Sequence, residues 1–416
     1  MVKVLRVRRN FMFSILALAY FFVLFHRFSP AVIAPEIMSE FDVSATMLGL
    51  LAATYFYTYM LMQIPVGFFA DNIGPRKTIS FFMLLASVGA LIFTLAENFN
   101  HLIFGRLLIG LGVSVVWVCT LKFVAAWYGL REFATMNGVL NFIGNIGAVF
   151  AATPLAFVVV AFGWRLSFLI LSMITTLLAI ATWLFVRDRP SQLNGQNKIF
   201  VGSLSFPEAL KIVFLSKYFW LVAIPFFAWY GSFASFQGIW GIPYLMQIYN
   251  YSKIEASFSL TMAAIGFGFG ATFWGLLSDK VLGVRKPIFI LGYFAYTLTW
   301  LILVVWKVLP SMLCILFFML GFFSGAIVIS VPMLRETFPE KIVGVVLGCV
   351  NTLCFVGVGF FQPLIGYTLD LYGPIKIVEG VKIYSSQAYQ AAFLFCFLAL
   401  VVASVATIFT KETLQK

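Results

Sequence analysis

The chain has 416 residues, of which 62% are hydrophobic and 10% are charged, and its formal net charge is +12. A soluble domain has about 45–50% apolar and about 25% charged residues. This composition excludes an ordinary soluble enzyme or receptor domain. We therefore expect no enzymatic activity, and function must lie among membrane-spanning segments.

Long charge-free stretches account for the apolar excess. Asp, Glu, Lys and Arg are absent from 43–70, 78–96, 107–121, 133–164, 166–186, 218–252, 256–278, 287–306, 308–334, 342–369 and 383–410. Most of these stretches reach the roughly 20 apolar residues that cross a bilayer core. With the first segment, 11–35, they predict about twelve spans. Because the backbone in lipid must satisfy its own hydrogen bonds, the spans are predicted to be helices.

The basic residues are distributed unevenly along this pattern. With the N-terminus placed inside, nineteen Lys and Arg fall in inside segments, five fall outside, and Arg27, Arg106 and Lys122 lie within spans. This bias predicts cytoplasmic termini in a multi-pass protein of a bacterial inner (plasma) membrane. The net charge is thus explained by topology, and we expect no nucleic-acid partner. The first segment is too long for a cleaved signal peptide and contains His26-Arg27.

A short motif occurs twice, half a chain apart. The stretch 67–77 carries Gly67, Asp71, Gly74, Arg76 and Lys77. The stretch 275–286 carries Gly275, Asp279, Gly283, Arg285 and Lys286. Each copy ends one apolar run and precedes the next. An internal repeat of this length indicates a duplicated architecture, and in membrane proteins two repeated halves are typical of secondary transporters.

One long polar connection, 187–217, separates the halves. The predicted domains are a six-helix bundle over 1–186, a cytoplasmic linker over 187–217 and a second six-helix bundle over 218–416. Within the linker, the Ser205-Phe206-Pro207-Glu208 sequence has the spacing of a capping box. It predicts either a short amphipathic helix on the membrane surface or an ordinary turn.

The doubled motif resembles the loop 2–3 and loop 8–9 signature of the major facilitator superfamily, with one inserted residue in the second copy. The resemblance covers the whole chain. It implies an all-α membrane protein of twelve transmembrane helices in two pseudo-symmetric six-helix bundles that rock about a central cavity. It also implies that Asp71 lies near the N-terminal end of helix 11 as part of a cytoplasmic gate, with Asp279 serving the opposite pair of helices.

Further matches resemble the bacterial organic-anion and nutrient transporters of this family. Arg106 begins an Arg-Leu-Leu-Ile-Gly-Leu-Gly segment similar to the family's helix 4 motif, and Trp127-Tyr128 precedes Arg131-Glu132. The helix 5 motif typical of drug/proton antiporters is replaced by Gly144-Asn145-Ile146-Gly147-Ala148. This difference disfavours the multidrug alternative.

Charged residues inside spans are candidates for function because their burial in lipid is costly. Arg27 lies about 12 Å from the outer end of helix 1, and contact with substrate or gate is weighed against structural pairing. Lys122 lies in the inner half of helix 4, where substrate contact and snorkelling to the cytoplasm are both open. Coupling candidates are His26, Arg106 and Glu36; for His26, a structural hydrogen bond is the alternative.

Neutral polar and aromatic residues complete the predicted substrate-binding set. Their alternative role is hydrogen bonding between helices. They are Tyr55, Tyr59, Asn137, Asn141, Trp229, Tyr230, Gln237, Trp240, Asn351 and Gln362.

The sequence therefore favours a secondary active transporter, a symporter or exchanger, that moves a small polar solute by alternating access. The solute is expected to bear a carboxylate, as in an organic acid, amino acid or short peptide. Efflux of amphipathic drugs and a non-transporting membrane sensor are the alternatives. Expected partners are the small-molecule substrate, a coupling proton or cation and the lipid bilayer, with the protein a monomer. No cofactor or metal is expected, since the five cysteines form no Cys-x-x-Cys pair.

Overall fold

The computed structural model describes residues 2–188 and 206–414 and is mainly helical. Within these residues, twelve helical segments are long and apolar enough to cross a membrane, in agreement with the predicted number. The spans, numbered 1 to 12, are Arg6–Phe28, Ala45–Gln63, Pro75–Thr94, Phe99–Trp127, Thr135–Phe162, Trp164–Phe185, Lys217–Tyr249, Lys253–Leu282, Lys286–Val305, Pro310–Thr337, Val343–Tyr372 and Ser386–Ile408.

The N-terminal helices form most of a first compact unit, Met1–Ile33 with Thr54–Ile199. The helices of residues 2–188 are α1 (Val2–Phe28), α2 (Pro30–Phe41), α3 (Ala45–Asn72), α4 (Pro75–Thr94), α5 (Phe99–Val113), α6 (Val116–Trp127), α7 (Leu130–Phe150), α8 (Thr153–Phe162) and α9 (Trp164–Phe185). Within the unit, α4 packs on α5 and α9, and α1 packs on α7.

The second compact unit comprises Ala34–Ala53 and Phe200–Lys416. Its C-terminal helices are α10 (Phe206–Leu215), α11 (Lys217–Ser235), α12 (Gly241–Tyr249), α13 (Lys253–Leu276), α14 (Lys286–Val305), α15 (Leu313–Ser324), α16 (Ser330–Thr337), α17 (Val343–Tyr372) and α18 (Ser386–Ile408). These units divide the chain differently from the predicted domains 1–186, 187–217 and 218–416, which stay a prediction.

Equivalent helices pack alike in the two halves. In one, α1 packs on α7; in the other, α11 packs on α17. A Cβ added to Gly147 would lie 2.1 Å from the Phe21 carbonyl oxygen, and one added to Gly357 would lie 2.3 Å from that of Phe227. Only glycine permits such close backbone approach. The repeat seen in the motifs therefore extends to the packing of the helices.

Several spans are interrupted. Span 1 breaks at Ser29 and resumes as α2, with Pro30 as its first residue. Proline lacks an N–H and its ring opposes the carbonyl four residues before it, so a break is expected there. Span 7 contains a π-helical turn, Phe236–Trp240, and span 8 ends in another, Leu277–Leu282. Such turns are frequent at functional sites.

The helix predicted in the linker is present as α10, whereas Ser205 lies outside the described residues. Its Ala209 and Val213 are buried against Phe219, Leu334 and Val346 of the second unit. The opposite side is apolar and exposed at Phe214 and Leu215. The amphipathic pattern therefore serves packing on one side of α10.

A β-hairpin joins spans 11 and 12 and was not predicted. Strands β1 (Lys376–Val378) and β2 (Val381–Ile383) pair antiparallel, with Lys376 opposite Ile383. The turn contains Glu379 and Gly380, both with positive φ. The short alternating segment is too weak a pattern to be distinguished from an ordinary loop in the sequence.

Candidate substrate-binding site

Arg27 lies in the last turn of α1, directly before the break at Ser29. Its side chain is enclosed by aromatic rings, with the guanidinium carbon 5.0 Å from the ring centre of Tyr59 and 5.8 Å from that of Tyr55. Arg27 is only 7% exposed. The two tyrosines stack on each other at 5.9 Å. The predicted Arg27, Tyr55 and Tyr59 thus form one cluster.

Arg106 holds the backbone at the end of α1 next to this cluster. Its Nη1 donates to the His26 carbonyl oxygen at 2.6 Å and its Nη2 to that of Arg27 at 3.3 Å. Because Pro30 has no N–H to donate, the His26 carbonyl lacks its helical partner, and Arg106 supplies one. The guanidinium also lies 4.6 Å from the centre of the Tyr55 ring. Arg106 therefore fixes the end of α1 that carries Arg27.

His26 points to a different neighbour. Its Nε2 lies 3.2 Å from the hydroxyl of Thr175 on α9, and that hydroxyl donates to the Leu171 carbonyl oxygen at 2.8 Å. Since the Thr175 proton is used there, the hydroxyl accepts from a protonated Nε2. The Nδ1 atom has no hydrogen-bond partner among the described residues. The geometry assigns His26 a structural bond, and the predicted coupling role stays a prediction.

Lys122 lies at the other end of the first unit. Its Nζ donates to the Ala70 carbonyl oxygen at 2.6 Å, in the last turn of α3. A cation is favoured at a helix C-terminus, where carbonyl groups carry partial negative charge. The structure thus shows a helix-capping contact for Lys122. The two predicted alternatives, substrate contact and snorkelling, stay predictions.

Asparagines form a ladder along α7. The side-chain amide of Asn141 donates to the backbone and side-chain oxygens of Asn137, at 2.9 Å each, and Asn145 donates to the Asn141 carbonyl oxygen at 3.0 Å. All three are partly exposed. The three side chains thus lie along one face of α7, while the binding role of Asn137 and Asn141 stays a prediction.

The second unit holds its own group of predicted residues around the π-helical turn of span 7. Trp240 donates from Nε1 to the Gln362 carbonyl oxygen at 3.0 Å. The Gln362 side chain is 1% exposed, and neither of its amide atoms has a hydrogen-bond partner among the described residues. Gln237, in the same turn, is 5% exposed. Burying an amide without hydrogen-bond partners is costly. The predicted role of Gln362 in substrate binding stays a prediction.

The remaining candidates of this unit lie one or more turns away. Trp229 stacks on Phe267, with ring centres 6.0 Å apart, and contacts the ring of Tyr230. The Trp229 Nε1 has no hydrogen-bond partner in the part of the chain that the structure describes. Asn351 is partly exposed on α17. The unit thus offers aromatic rings and neutral hydrogen-bonding groups.

The first copy of the repeated motif forms the turn between α3 and α4. Gly74 has φ +92°, and the Arg76 N–H donates to Asp188 Oδ1 at 2.7 Å. The Arg76 Nε donates to the Trp183 carbonyl oxygen, also at 2.7 Å. Lys77 is exposed. The side chain of Asp71 lies outside the described residues, and an added Cβ on Gly67 would meet no atom within 4 Å.

The second copy holds a denser ionic network. Arg285 pairs with Asp279 at 2.8 Å and with Glu336 at 2.7 Å. Burial would lower the pKa of Arg285, but bonding to these carboxylates outweighs it and raises the pKa. Glu412 accepts from the N–H groups of Arg285 and Lys286, at the start of α14. Gly283 has φ +62° in the turn, and Gly275 has open space around it.

Glu36, the last coupling candidate, lies on α2 and forms an ion pair with Lys253 at the start of α13. The side chains of Glu36 and Lys253 are 30% and 10% exposed. The two residues are 217 positions apart in the chain, so nothing local in the sequence indicates which base Glu36 meets.

Sequence reasoning also missed three carboxylates that cap helices: Asp188, Asp370 and Glu412. Asp188 and Glu412 follow the last span of each half, and this shared placement is a signal that could have identified them. Asp370 could not be identified in this way, because the amides that it caps, those of Ala45 and Thr46, are more than 300 residues away in the chain.

Comparisons with known proteins bear on the whole chain. The model of the family described as Major Facilitator Superfamily matches residues 16–241 and 230–416. The probable L-galactonate transporter of Escherichia coli (strain K12) is 23% identical over 409 residues, covering 90% of this chain and 83% of the relative. The hexuronate transporter of the same organism is 21% identical over 387 residues, covering 90% and 82%.

The fold also matches solved structures. A bacterial homologue of the human lysosomal transporter Spinster, in its inward-facing and unoccupied conformation, has a TM-score of 0.78 at 17% identity, with 96% of each chain covered. At this identity the likeness concerns the fold, twelve helices from two repeated halves.

Proposed function

Because the chain belongs to the major facilitator superfamily and is an integral multi-pass membrane protein, we propose that this secondary transporter carries small carboxylate-bearing solutes by alternating access. Galactonate and hexuronates, named for two relatives, are hydroxylated carboxylates. The carboxylate is the group that these solutes share. The test below asks whether their hydroxyl groups are also needed.

The observation that carries the proposal is the pair of guanidinium groups on the Tyr55 ring. Arg27 and Arg106 lie 5.8 and 4.6 Å from its centre. Arg106 donates hydrogen bonds to the neutral carbonyl oxygens of His26 and Arg27, which leave its charge in place. Two cations so close in a medium of low dielectric attract an anion strongly, and an Arg can hold a carboxylate through two parallel bonds.

The roles within the site follow from exposure and support. Arg27 would bind the carboxylate, because Arg106 is 1% exposed and already holds the end of α1. Tyr55 donates to the Val23 carbonyl oxygen at 3.2 Å and acts as a rigid platform. Gln237 and Gln362 belong to the second unit, and their part in binding stays a prediction.

We also propose a coupling species, an oligomeric state and a membrane location for this transporter. We take a proton or cation as the coupling species, a monomer as the working form and a bacterial inner membrane with cytoplasmic termini as the location. His26, Glu36 and Arg106 remain candidates for coupling, although each has a structural contact.

The test is uptake of labelled galactonate, glucuronate, lactate and an uncharged sugar into proteoliposomes. We expect the acids to be carried and Arg27→Gln to raise KM about 10- to 150-fold, since a hydrogen bond to a charged group is worth about 1.5–3 kcal/mol. Arg27→Lys should retain part of the affinity. Lys307→Gln, which removes an exposed Lys, is the matched control.

Thermal stabilisation of the purified protein by the same compounds provides a second readout, because a bound ligand stabilises the folded state. Uptake of these acids by Arg27→Gln at the wild-type KM would contradict the proposed site. Transport of cationic dyes without any acid would instead favour the multidrug alternative.

A further inference from the structure

Asp370, in the last turn of α17, binds the start of α3. Its Oδ1 accepts from the Ala45 N–H at 3.1 Å, and its Oδ2 accepts from the Thr46 N–H at 2.7 Å and the Thr46 hydroxyl at 2.6 Å. The Tyr384 hydroxyl donates to Oδ1 at 2.7 Å. The hydroxyl of Ser44 also bonds this carboxylate.

These bonds complete the N-terminus of α3. The first amides of a helix have no partner within the helix. Ser44 accepts from the Met47 N–H at 3.3 Å, and Asp370 takes those of Ala45 and Thr46. A negative charge at this end also meets the positive end of the helix dipole. Five donors exceed the about four lone-pair sites of one carboxylate, so at least one site is shared.

The backbones of α3 and α17 are in direct contact below this cap. A Cβ added to Gly366 would lie 2.2 Å from the Ala45 carbonyl oxygen, and one added to Gly49 would lie 2.4 Å from that of Gln362. No side chain separates the helices at these two points. The beginning of α3 therefore sits on α17 in a defined register.

Other polar contacts hold the preceding segment on the same unit. Glu36 pairs with Lys253, and Asp42 pairs with Lys382 of β2 at 3.1 Å. The Ser39 hydroxyl donates to the Glu379 carbonyl oxygen in the hairpin turn. The Asp42 side chain is 89% exposed, so that pair is weak. Asp370 makes the most contacts of this group.

The cap on α3 matters because α3 connects the two units of the chain. Residues Ala34–Ala53 belong to the second unit, whereas α3 continues from Thr54 into the first. Because α3 is one continuous helix, Ala45–Asn72, a movement of the first unit pulls on residues 45–53 and strains their contact with α17 under the alternating-access mechanism proposed above, on which this inference rests. We propose that Asp370 is the latch of this contact: its cap on α3 forms and breaks once in each transport cycle.

Spin labels can measure the latch directly. Met47→Cys on α3 and Tyr367→Cys on α17 are exposed positions, and Cys314 and Cys349, which are partly exposed, are replaced by Ser. The three buried cysteines are shielded from the label. Distances are recorded by pulsed electron spin resonance in lipid nanodiscs, with no solute added.

We expect Asp370→Asn to raise the ratio of the long-distance to the short-distance population about 2- to 30-fold, the size of a lost helix cap. Thr46→Val, which removes only the hydroxyl bond, should give a smaller shift in the same direction. Glu97→Gln, which neutralises an exposed acid outside this network, should leave the distribution unchanged.

An Asp370→Asn distribution equal to wild type overturns the latch. If that variant does not fold, Thr46→Val decides, and its lack of any shift overturns the latch as well. The proposed function fails separately: a wild-type protein that transports none of the acids, while Asp370→Asn still lengthens the distance, retains the latch and loses the function.

Discussion

Two intramembrane cations of this protein bond carbonyl groups at places where helices end. Arg106 bonds the carbonyl groups freed by the break before Pro30, and Lys122 bonds a carbonyl in the last turn of α3. Helix C-termini carry about half a negative charge. Because a carbonyl oxygen is neutral, these bonds hold each cation in place without cancelling its charge.

The hydrogen bond between His26 and Thr175 is expected to stabilise the folded protein. Thr175→Val has nearly the same shape but removes the acceptor of the His26 Nε2–H, which lies at zero exposure. We expect a loss of about 1–3 kcal/mol in the free energy of unfolding, because a buried donor is left unsatisfied. Thr175→Ser keeps the hydroxyl and should be close to wild type. Thermal unfolding of the purified proteins provides the measurement.

The same variants separate the two roles of His26. If the bond is structural, the pH dependence of transport by Thr175→Val should match that of wild type. An unchanged stability together with a shifted pH profile would contradict the structural role and favour coupling through His26, since a titrating His responds to its hydrogen-bond partners.

At the scale of elements, each half ends its last span with an acid that caps its third helix. Asp188 accepts from the Arg76 N–H, and Glu412 accepts from the N–H groups of Arg285 and Lys286. In both cases the helix that follows the motif turn starts on a carboxylate from elsewhere in the same half. The repeated motif is thus one part of a longer repeated device.

Glu412 supplies the prediction at this scale. Burial raises its pKa, but four backbone N–H groups outweigh burial, and the pKa in the folded protein is lowered. The resulting stability is present above the unfolded pKa of about 4.3 and is lost as the pH falls through the folded pKa. Glu412→Gln should therefore lower the free energy of unfolding by about 0.5–2 kcal/mol at pH 7.

The difference between Glu412→Gln and wild type should shrink as the pH falls from about 4.3 through the lowered folded pKa, because Glu412 is then protonated and uncharged like glutamine. Thermal unfolding at pH 7 and in a descending pH series below about 4.3 measures it, with Glu97→Gln as the exposed control. A difference that stays equal over the whole series would show that the charge on Glu412 does not contribute.

The elements differ in how far the sequence could predict them. Hydropathy indicates the twelve spans because each is a local property of about 20 residues, and Pro30 indicates the break in span 1. The partners of Lys122, Glu36 and Asp370 depend on tertiary packing, so no local pattern indicates them. The sequence does place Arg27 and Tyr55 in spans 1 and 2, but their contact requires the fold.

At the scale of the whole molecule, the uneven distribution of Lys and Arg predicts how the protein is oriented in the membrane. The twelve spans confirm an even number of crossings for the described residues, which puts the two ends of the spanning region on the same side. The count of nineteen inside and five outside Lys and Arg predicts that this side is the cytoplasm. The positive-inside rule acts through loops, and most loops here are short enough to count.

Exposed lysines on opposite sides test this orientation. Lys280 lies in the π-helical turn that ends span 8, and Lys376 lies in β1 between spans 11 and 12; both are exposed. In intact cells a membrane-impermeant maleimide should label Lys376→Cys at once, and Lys280→Cys only after permeabilisation. The two sites are separated by three spans, so the rule requires opposite sides for them. The reverse labelling would place both termini outside and would turn the predicted cytoplasmic motif to the exterior.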